Sequence, residues 1–208
     1  MTEDDARALV AETVPRETFG RLEALVTLVA EENTRQNLVA PSTIPIMWSR
    51  HVLDSSQLLR LAGDTTGAWL DIGAGGGFPG LVIASLRDEL TYLVEPRAKR
   101  AAFLSASAIA LGVDHRTTIL ASRVETAPID HPCAIISARA VASLPALLAM
   151  AARHATDDTL WLLPKGRSAA AEVAEARREW QGAFRLVPSL SDPDSAIVVA
   201  RGIRRKRA

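Results

Sequence analysis

The segment Ala68-Trp-Leu-Asp-Ile-Gly-Ala-Gly-Gly-Gly-Phe-Pro-Gly80 predicts a short buried strand that turns through a glycine-rich loop into a helix. Glycine residues let the backbone turn tightly and approach a ligand closely. The proline at position 79 suits the first helical turn, where its missing N–H is not needed. The first N–H groups of the helix have no partner inside it. The segment therefore predicts a ligand site where the strand ends.

Short apolar runs alternate with helical segments after this loop, which is typical of βαβ units with a parallel sheet. Strands are predicted at 68–72, 91–95, 117–121, 134–137 and 159–163, and helices at 80–87, 97–111, 144–154 and 169–180. Two extended runs, 184–190 and 196–200, flank a turn at Asp192-Pro-Asp194, which predicts a hairpin at one sheet edge.

Two helices are predicted before the loop, at 16–37 and 45–62, and a turn-rich joint follows at 63–67. We therefore expect an N-terminal helical region, residues 1–62, packed on a main α/β domain, residues 63–208.

The loop residues favour S-adenosylmethionine over NAD as the ligand. The glycines at 75, 77 and 80 satisfy the dinucleotide spacing formally, but Phe78 and Pro79 fill the two intervening positions. Asp71 would repel a pyrophosphate, whereas it would favour the cationic sulfonium and ammonium groups of S-adenosylmethionine. Glu95, at the end of the second strand, can accept both ribose hydroxyl hydrogens of either cofactor. NAD, and a loop that binds nothing, remain as alternatives.

Composition excludes several other classes of protein. The formal net charge is zero, which argues against a strongly basic nucleic-acid binder. One cysteine, Cys133, fits a reducing cytoplasm, and the scattered histidines show no metal-ligand spacing, so we expect no metal. No apolar run is long enough to predict a membrane span, and the acidic N-terminus does not match a signal peptide.

The charge is unevenly distributed along the chain. Residues 1–40 hold four basic and eight acidic side chains, whereas residues 161–208 hold ten and five and end in Arg201-Gly-Ile-Arg-Arg-Lys-Arg207. This basic C-terminal tail is either a solvated terminus or a phosphate-contacting arm, and the sequence leaves both open.

Several motifs in fixed order resemble the RsmG family (also called GidB), bacterial 16S ribosomal RNA guanine-N7 methyltransferases. The resemblance extends from about residue 20 to about residue 200, and the glycine loop is its most specific part. The other matching segments are Asn33-x-x-x-Asn37-Leu-Val-Ala, Arg50-His-Val-Leu-Asp-Ser55, Glu95-Pro-Arg-Ala-Lys-Arg-Ala-Ala-Phe-Leu104, Arg123-Val-Glu125, Ser137-Ala-Arg-Ala140 and Lys165-Gly166.

The resemblance implies a class I (Rossmann-like) methyltransferase fold with a mostly parallel seven-stranded sheet. It also implies that Gly73, Phe78, Val124, Glu125 and Arg139 lie at the S-adenosylmethionine cofactor. We expect Asp71, Gly75, Gly77 and Glu95 to join them, on the reasoning above. The implied substrate is guanine 527 in the 530 loop of 16S rRNA, naked or within a small-subunit precursor, and we expect the protein to act as a monomer.

Methylation of guanine N7 needs no proton removal, because N7 has a free in-plane lone pair. Alignment of N7, methyl and sulfur can therefore supply the catalysis, and no general base is expected. Arg139, after the fourth strand, and Lys165, after the fifth, are predicted to position the reactants. Asn33, His51, Arg123 and Lys165 are the candidate RNA contacts.

The residues also leave other interpretations open. His51 and Asp54 share a helix face, and their spacing predicts a hydrogen bond on the helix surface. For the whole chain, the alternatives are a class I methyltransferase acting on a small molecule or protein, an NAD-dependent dehydrogenase, and an RNA-binding module without catalytic activity.

Overall fold

The computed structural model describes residues 1–207, and Ala208, the last residue of the predicted main domain, lies outside the described residues. Its helices are α1 (Glu3–Thr13), α2 (Arg16–Glu32), α3 (Asp54–Ala62), α4 (Gly80–Leu86), α5 (Ala98–Ala110), α6 (Leu144–Ala151) and α7 (Ala169–Glu179). Its strands are β1 (Trp69–Ile72), β2 (Thr91–Val94), β3 (Thr117–Leu120), β4 (Ile135–Ala138), β5 (Leu160–Lys165), β6 (Trp180–Pro188) and β7 (Ala196–Arg205).

The strands form one seven-stranded sheet in the order β3-β2-β1-β4-β5-β7-β6. The first five strands in this order form four parallel pairs, whereas β7 pairs antiparallel with both β5 and β6. This arrangement confirms the predicted fold class, a mostly parallel sheet with an antiparallel C-terminal edge. The strand order reverses between β1 and β4, so a crevice opens above their carboxyl ends.

Helices cover both faces of the sheet. On one face, α6 and α7 pack on apolar residues of β1, β4, β5 and β7, with Trp161 fully buried at their centre. On the other face, α3, α4 and α5 pack on the opposite side of the same strands. The helices α1 and α2 share this second core through Val10, Leu22 and Leu25, which are buried. The N-terminal helices therefore support the side of the sheet from which the glycine loop rises.

The N-terminal region differs from the prediction in three ways. The segment predicted as a helix over 45–62 is three consecutive pieces: a 3₁₀ helix (Pro41–Ile46), a π-helical turn (Trp48–Leu53) and α3. The preceding helix ends at Glu32 instead of residue 37. An additional helix, α1, precedes both, and its Glu3 carboxylate accepts hydrogen bonds from the backbone N–H groups of Trp48 (2.6 Å) and Ser49 (3.0 Å). Glu3 thereby satisfies N–H groups that the first π-helical turn leaves unpaired.

The basic C-terminal segment is a strand and not a free tail. The hairpin strands are longer than predicted, because β7 continues through Arg205 and pairs with β6 back to Trp180. None of the helices in residues 1–207 combines the length and hydropathy that a membrane crossing requires.

Candidate active site

The glycine loop between β1 and α4 is held against β2 by backbone hydrogen bonds. The N–H groups of Gly73 and Ala74 donate to the Val94 carbonyl oxygen at 2.8 and 3.1 Å. Gly73, Gly75 and Gly77 have φ angles of 68°, 53° and 91°, which glycine adopts at little cost and other residues avoid. These three left-handed residues turn the chain back over the strand ends, as the sequence predicted.

Different glycines of the loop serve different purposes. A Cβ added at Gly73 would lie 2.6 Å from a Val141 methyl carbon, and one added at Gly80 would lie 2.7 Å from the Asp71 carboxylate. At Gly75 the nearest atoms would be the Gly73 carbonyl oxygen at 3.6 Å and the Arg100 guanidinium at 4.0 Å. An added Cβ at Gly75 would therefore make only ordinary van der Waals contacts, and Gly75 is the glycine best placed for a close ligand approach.

Asp71 supports the loop from inside the fold and presents no surface to solvent. It is fully buried, its Oδ2 accepts a hydrogen bond from Gly80 N at 2.9 Å, and its Oδ1 accepts one from Ser137 Oγ at 2.7 Å. Burial raises the pKa of this carboxyl group to about 7. This differs from the expectation that the carboxylate faces a bound cation, because its oxygens hold together β1, β4 and the start of α4.

Glu95 lies where β2 ends, beside the glycine loop. Its carboxylate accepts hydrogen bonds from the backbone N–H groups of Gly75 (3.1 Å) and Arg97 (2.9 Å). A carboxylate offers about four acceptor positions, so two backbone contacts leave capacity for hydroxyl donors. The geometry is therefore compatible with the predicted contact to ribose hydroxyls.

A cavity of about 370 Å³ opens over the glycine loop, and we call it the loop cavity. One wall is the loop, and the opposite wall is the segment that follows α2. Its lining residues are Leu38, Val39, Ala40, Thr43, Arg50, His51, Gly73, Ala74, Gly75, Gly76, Phe78, Arg100, Arg139 and Ala140.

A second cavity, of about 440 Å³, lies over the ends of β4 and β5, and we call it the β4–β5 cavity. Arg50, Arg139 and Ala140 line both cavities, so these residues form the boundary between them. Ala140 has a φ of 56°, a left-handed conformation that is uncommon for a residue with a side chain. Such strain occurs most often at functional sites, which agrees with the position of Ala140 between the two cavities.

Arg139 is held by hydrogen bonds on three sides. Its guanidinium donates to the Arg50 carbonyl oxygen at 3.0 Å and to Asp54 Oδ2 at 3.3 Å. It also donates to His51 Nδ1 at 2.8 Å and lies over the Phe78 ring, 5.7 Å from the centroid. Arg139 therefore keeps a fixed position between the two cavities, as the prediction of a positioning role requires.

His51 is neutral and buried beneath Arg139. Its Nδ1 accepts from Arg139, so Nε2 carries the proton and donates to Thr43 Oγ1 at 2.8 Å. The ring stacks on Phe78 with centroids 5.0 Å apart. Burial, followed by the charges of Arg139 and Arg50, lowers the pKa of His51 to about 3. His51 thus acts on the site through Arg139 and Phe78.

Asp54 is also buried and also serves Arg139. Its Oδ2 faces Arg139, while its Oδ1 accepts from Gln57 Nε2 at 3.0 Å and Ser191 Oγ at 2.8 Å. The predicted hydrogen bond between His51 and Asp54 on a helix surface is therefore wrong. The π-helical turn directs His51 inward, and Asp54 begins α3 directly after it, so that each side chain contacts the same arginine.

Lys165 is the last residue of β5, whereas the sequence predicts a position after this strand. Its Nζ forms an ion pair with Glu172 Oε2 at 2.8 Å and donates to the Ala142 carbonyl oxygen. Its side chain is only 9% exposed, although it lines the β4–β5 cavity. Glu172 also accepts from Leu144 N at 2.8 Å, so the pair joins the first turns of α6 and α7. The ammonium group of Lys165 therefore already has partners inside the protein.

The remaining predicted residues lie at the rim of the loop cavity or beyond it. Asn33 Oδ1 accepts from the backbone N–H groups of Leu38 (2.8 Å) and Val39 (2.9 Å), and so it shapes the cavity wall after α2. Val124 and Glu125 lie in a 3₁₀ turn after β3; Val124 is buried and Glu125 is exposed. Arg123 precedes this turn and is exposed, so its side chain is open to a substrate.

Sequence reasoning assigned no role to Thr43 or Ala140 and gave Arg50 and Arg100 no place at the site. Arg50 lines both cavities and pairs with Asp192 at 3.3 Å, and Arg100 donates to the Asn37 carbonyl oxygen at the loop cavity. Arg50 adjoins His51 in a recognised motif, which was a usable signal. Ala140 adjoins Arg139 in another such motif, whereas Thr43 carried no signal, because its role depends on tertiary geometry.

Cys133 lines neither of the two cavities. Cys133 is buried just before β4, and burial raises the pKa of its thiol to about 12. A residue so placed packs in the core. Within residues 1–207, His, Cys, Asp and Glu side chains form no group of three or more that could hold a metal ion.

Comparison with known proteins identifies close relatives along the chain. The GidB family, described as rRNA small subunit methyltransferase G, matches residues 19–194. A protein of that name from Rhizorhabdus wittichii is 47% identical over 206 residues, which cover 98% of this chain and 94% of the relative. A protein of the same name from Erythrobacter litoralis is 44% identical, with 97% of each chain covered.

Solved structures with this fold are methyltransferases of low sequence identity. The glycopeptide N-methyltransferase MtfA, solved with S-adenosyl-L-homocysteine, superposes with a TM-score of 0.59 at 15% identity and covers 73% of this chain and 89% of its own. An O-methyltransferase from Bacillus cereus, also solved with S-adenosyl-L-homocysteine, gives a TM-score of 0.58 at 13% identity, with 86% and 90% covered. These likenesses support the fold class.

Proposed function

The chain belongs to the GidB family of rRNA small subunit methyltransferases G, and from this membership we propose that it methylates N7 of guanine 527 in the 530 loop of 16S rRNA. The methyl donor is S-adenosylmethionine. We further propose that the protein acts as a cytoplasmic monomer, on naked rRNA or on a small-subunit precursor.

The observation that carries the proposal is the pair of cavities separated by Arg50, Arg139 and Ala140. The loop cavity is lined by the left-handed Gly73 and Gly75, which allow a close approach. The Glu95 carboxylate lies behind the loop, where it accepts from Gly75 N, and it has acceptor capacity for ribose hydroxyls. The β4–β5 cavity lies over the neighbouring strand ends, where an acceptor base has room. A methyl group at the boundary would lie within reach of both.

The groups at the boundary suit an acceptor that needs no deprotonation. His51 Nδ1 is occupied by Arg139, and its pKa near 3 keeps the ring neutral at physiological pH. Asp54 is also committed to Arg139. Since guanine N7 has its own lone pair, alignment of N7 with the methyl and sulfur atoms is sufficient for transfer. Arg139 engages both His51 and Asp54, so neither is placed to act as a general base, and this supports N7 as the acceptor.

We assign the other residues by their positions. Gly73, Gly75, Gly77, Phe78, Glu95, Val124 and Glu125 form the donor site, and Arg139 orients the donor against the acceptor. Asp71 holds the loop in shape from behind. Arg123 is the candidate phosphate contact. Asn33, His51 and Lys165 shape the walls of the two cavities, so they affect RNA through geometry more than through direct charge.

The test is chemical mapping of 16S rRNA from a strain that lacks the gene. Borohydride and aniline cleave the chain at N7-methylguanine, and primer extension then locates the break. We expect the stop in the 530 loop to be absent in the deletion strain and restored by the wild-type gene, but not by an Arg139→Ala variant. Full retention of the modification in the deletion strain would overturn the proposal. Transfer to a metabolite without RNA would instead favour a small-molecule methyltransferase.

A further inference from the structure

The β6–β7 hairpin joins the β4–β5 cavity to the basic C-terminal segment. At its turn end, Ser189, Ser195, Ala196 and Ile197 line that cavity. At its other end lie Arg201, Arg204 and Arg205, followed by Lys206 and Arg207. The two strands carry four arginines and no acidic residue. A single element therefore reaches from the candidate acceptor site to the most basic stretch of the chain.

Strand pairing places three of these arginines on one face of the hairpin. Arg185 pairs with Val199, Ala183 pairs with Arg201, and Gln181 pairs with Arg204 beyond a β-bulge that adds one residue to β7 and so keeps Arg204 on the face of Arg201. Paired residues point to the same side, and alternate residues along a strand share a face. Arg185, Arg201 and Arg204 therefore form a row, which we call the arginine row. Ile197 lies on the same face and lines the cavity, so the row begins next to the candidate acceptor site.

The length of the row follows from strand geometry. Arg204 is seven residues beyond Ile197. At about 3.3 Å per residue, the row extends roughly 20 Å from the cavity wall. A ligand that occupied both the cavity and the row would have to be an extended polyanion, much larger than one nucleotide.

The arginines of the row are available to an external anion. The Arg185 side chain is exposed, and its guanidinium forms no hydrogen bond or ion pair with any of residues 1–207. Arg201 donates only to neutral oxygens, the Asp158 carbonyl at 2.8 Å and the Thr65 hydroxyl at 2.8 Å. Arg204 pairs with Asp157, but their side chains are 61% and 47% exposed. Exposed ion pairs contribute little, so a phosphate can compete for Arg204.

We propose that the arginine row is a second RNA-docking surface, which binds the phosphate backbone of the substrate RNA outside the methylated nucleotide. The inference rests on the proposed function, because it takes the β4–β5 cavity as the site of the acceptor base. Arginine suits this role because its planar guanidinium matches the geometry of phosphate oxygens. Since the whole chain is electrically neutral, attraction for RNA depends on local surfaces of this kind.

The test compares Arg185→Gln/Arg204→Gln with Arg16→Gln/Arg21→Gln, each in the full-length protein. Each double variant removes one arginine that pairs with a carboxylate, Arg204 with Asp157 or Arg21 with Glu17. Each also removes one arginine, Arg185 or Arg16, that forms no ion pair with any of residues 1–207. Each is assayed on full-length 16S rRNA and on a short RNA hairpin containing only the target loop, over a range of salt concentrations. Vesicles of phosphatidylglycerol serve as an alternative polyanion.

We expect the row variant to raise KM for full-length rRNA by about 5- to 10-fold at low salt, with kcat unchanged. We also expect its salt dependence of log KM to fall by about 1 to 2 units of slope, since two phosphate contacts are lost. KM for the short hairpin and S-adenosylmethionine binding should match those of the wild type, as should all values for the α2 variant.

Several outcomes would overturn the docking surface. One is an equal KM for both double variants on full-length rRNA, and another is an equal loss on the short hairpin. Binding of the wild type to vesicles that is lost in the row variant, with rRNA kinetics unchanged, would assign the row to a lipid surface. If instead the wild-type protein methylates neither RNA, the proposed function itself has failed, which is a separate result.

Discussion

Gly75 is the residue whose replacement most directly tests the donor site. Alanine at this position would keep a left-handed φ of 53° and would direct a methyl group into the loop cavity. We expect Gly75→Ala to lower S-adenosylmethionine affinity at least 10-fold in isothermal titration, because the backbone could no longer approach the ligand closely.

Gly112→Ala is the matched control for this substitution. Gly112 has a similar φ of 65°, and an added Cβ would meet no atom within 4 Å. Both variants should lose about 1 kcal/mol of stability from backbone strain, but only Gly75→Ala should lose affinity. Equal affinity in the two variants would place the ligand elsewhere.

For single residues, the sequence predicted where chemically important side chains lie better than it predicted which residues those side chains contact. The cofactor contacts of Glu95 and the loop glycines stay a prediction, but these residues lie at the strand ends as expected, because a glycine loop after a strand strongly limits the local backbone. Asp71 and the His51–Asp54 pair do not, because the direction of a side chain depends on what packs against it. Ser137, which donates a hydrogen bond to Asp71, is 66 positions away along the chain. The sequence around Asp71 therefore does not indicate this contact.

At the scale of elements, each predicted strand of the parallel sheet overlaps an observed one closely, since buried strands between turns have distinctive apolar runs. The N-terminal region was harder. Helix α1 buries only Ala6 and Val10, too narrow an apolar face to recognise by periodicity. The π-helical turn looks like ordinary helix in sequence, yet it directs His51 inward to Arg139. The segment from Arg201 to Arg207 was interpreted as a tail, because its arginines interrupt the alternation of apolar and polar residues that is typical of a strand.

The turn of the β6–β7 hairpin positions Arg139 indirectly, through Asp54. Ser191 Oγ donates to Asp54 Oδ1 at 2.8 Å, and Asp54 in turn binds Arg139. We expect Ser191→Ala to lower the free energy of unfolding by about 1 to 2 kcal/mol, because a buried carboxylate loses a donor. The rRNA methylation rate should fall more than S-adenosylmethionine affinity, which titration and a single-turnover assay would measure.

Ser56→Ala provides the comparison for Ser191→Ala. Ser56 lies on α3 and donates to the Leu53 carbonyl oxygen at 3.1 Å, three residues earlier along the chain. Its replacement should leave both turnover and affinity unchanged. If Ser191→Ala behaved in the same way, the hairpin turn would have no part in positioning Arg139.

At the scale of the whole molecule, two buried groups give the stability opposite pH dependences. The folded-state pKa of His51 is about 3, below its unfolded value, so the unfolded chain binds the extra proton between pH 3 and about 6.5. Stability therefore rises with pH in that window. The folded-state pKa of Asp71 is about 7, above its unfolded value, so the folded chain binds the extra proton between about pH 4 and 7. Stability falls with pH there.

In the wild type these two contributions largely cancel between about pH 4.5 and 6, and single substitutions should reveal each of them. Relative to wild type, His51→Gln should make the free energy of unfolding fall with rising pH by about 1.4 kcal/mol per pH unit, and Asp71→Asn should make it rise by a similar amount. Urea unfolding at several pH values measures both slopes. The other carboxyl groups are common to all three proteins, so they cancel in the comparison. Parallel pH profiles for wild type and both variants would show that neither side chain carries the charge state that its burial imposes.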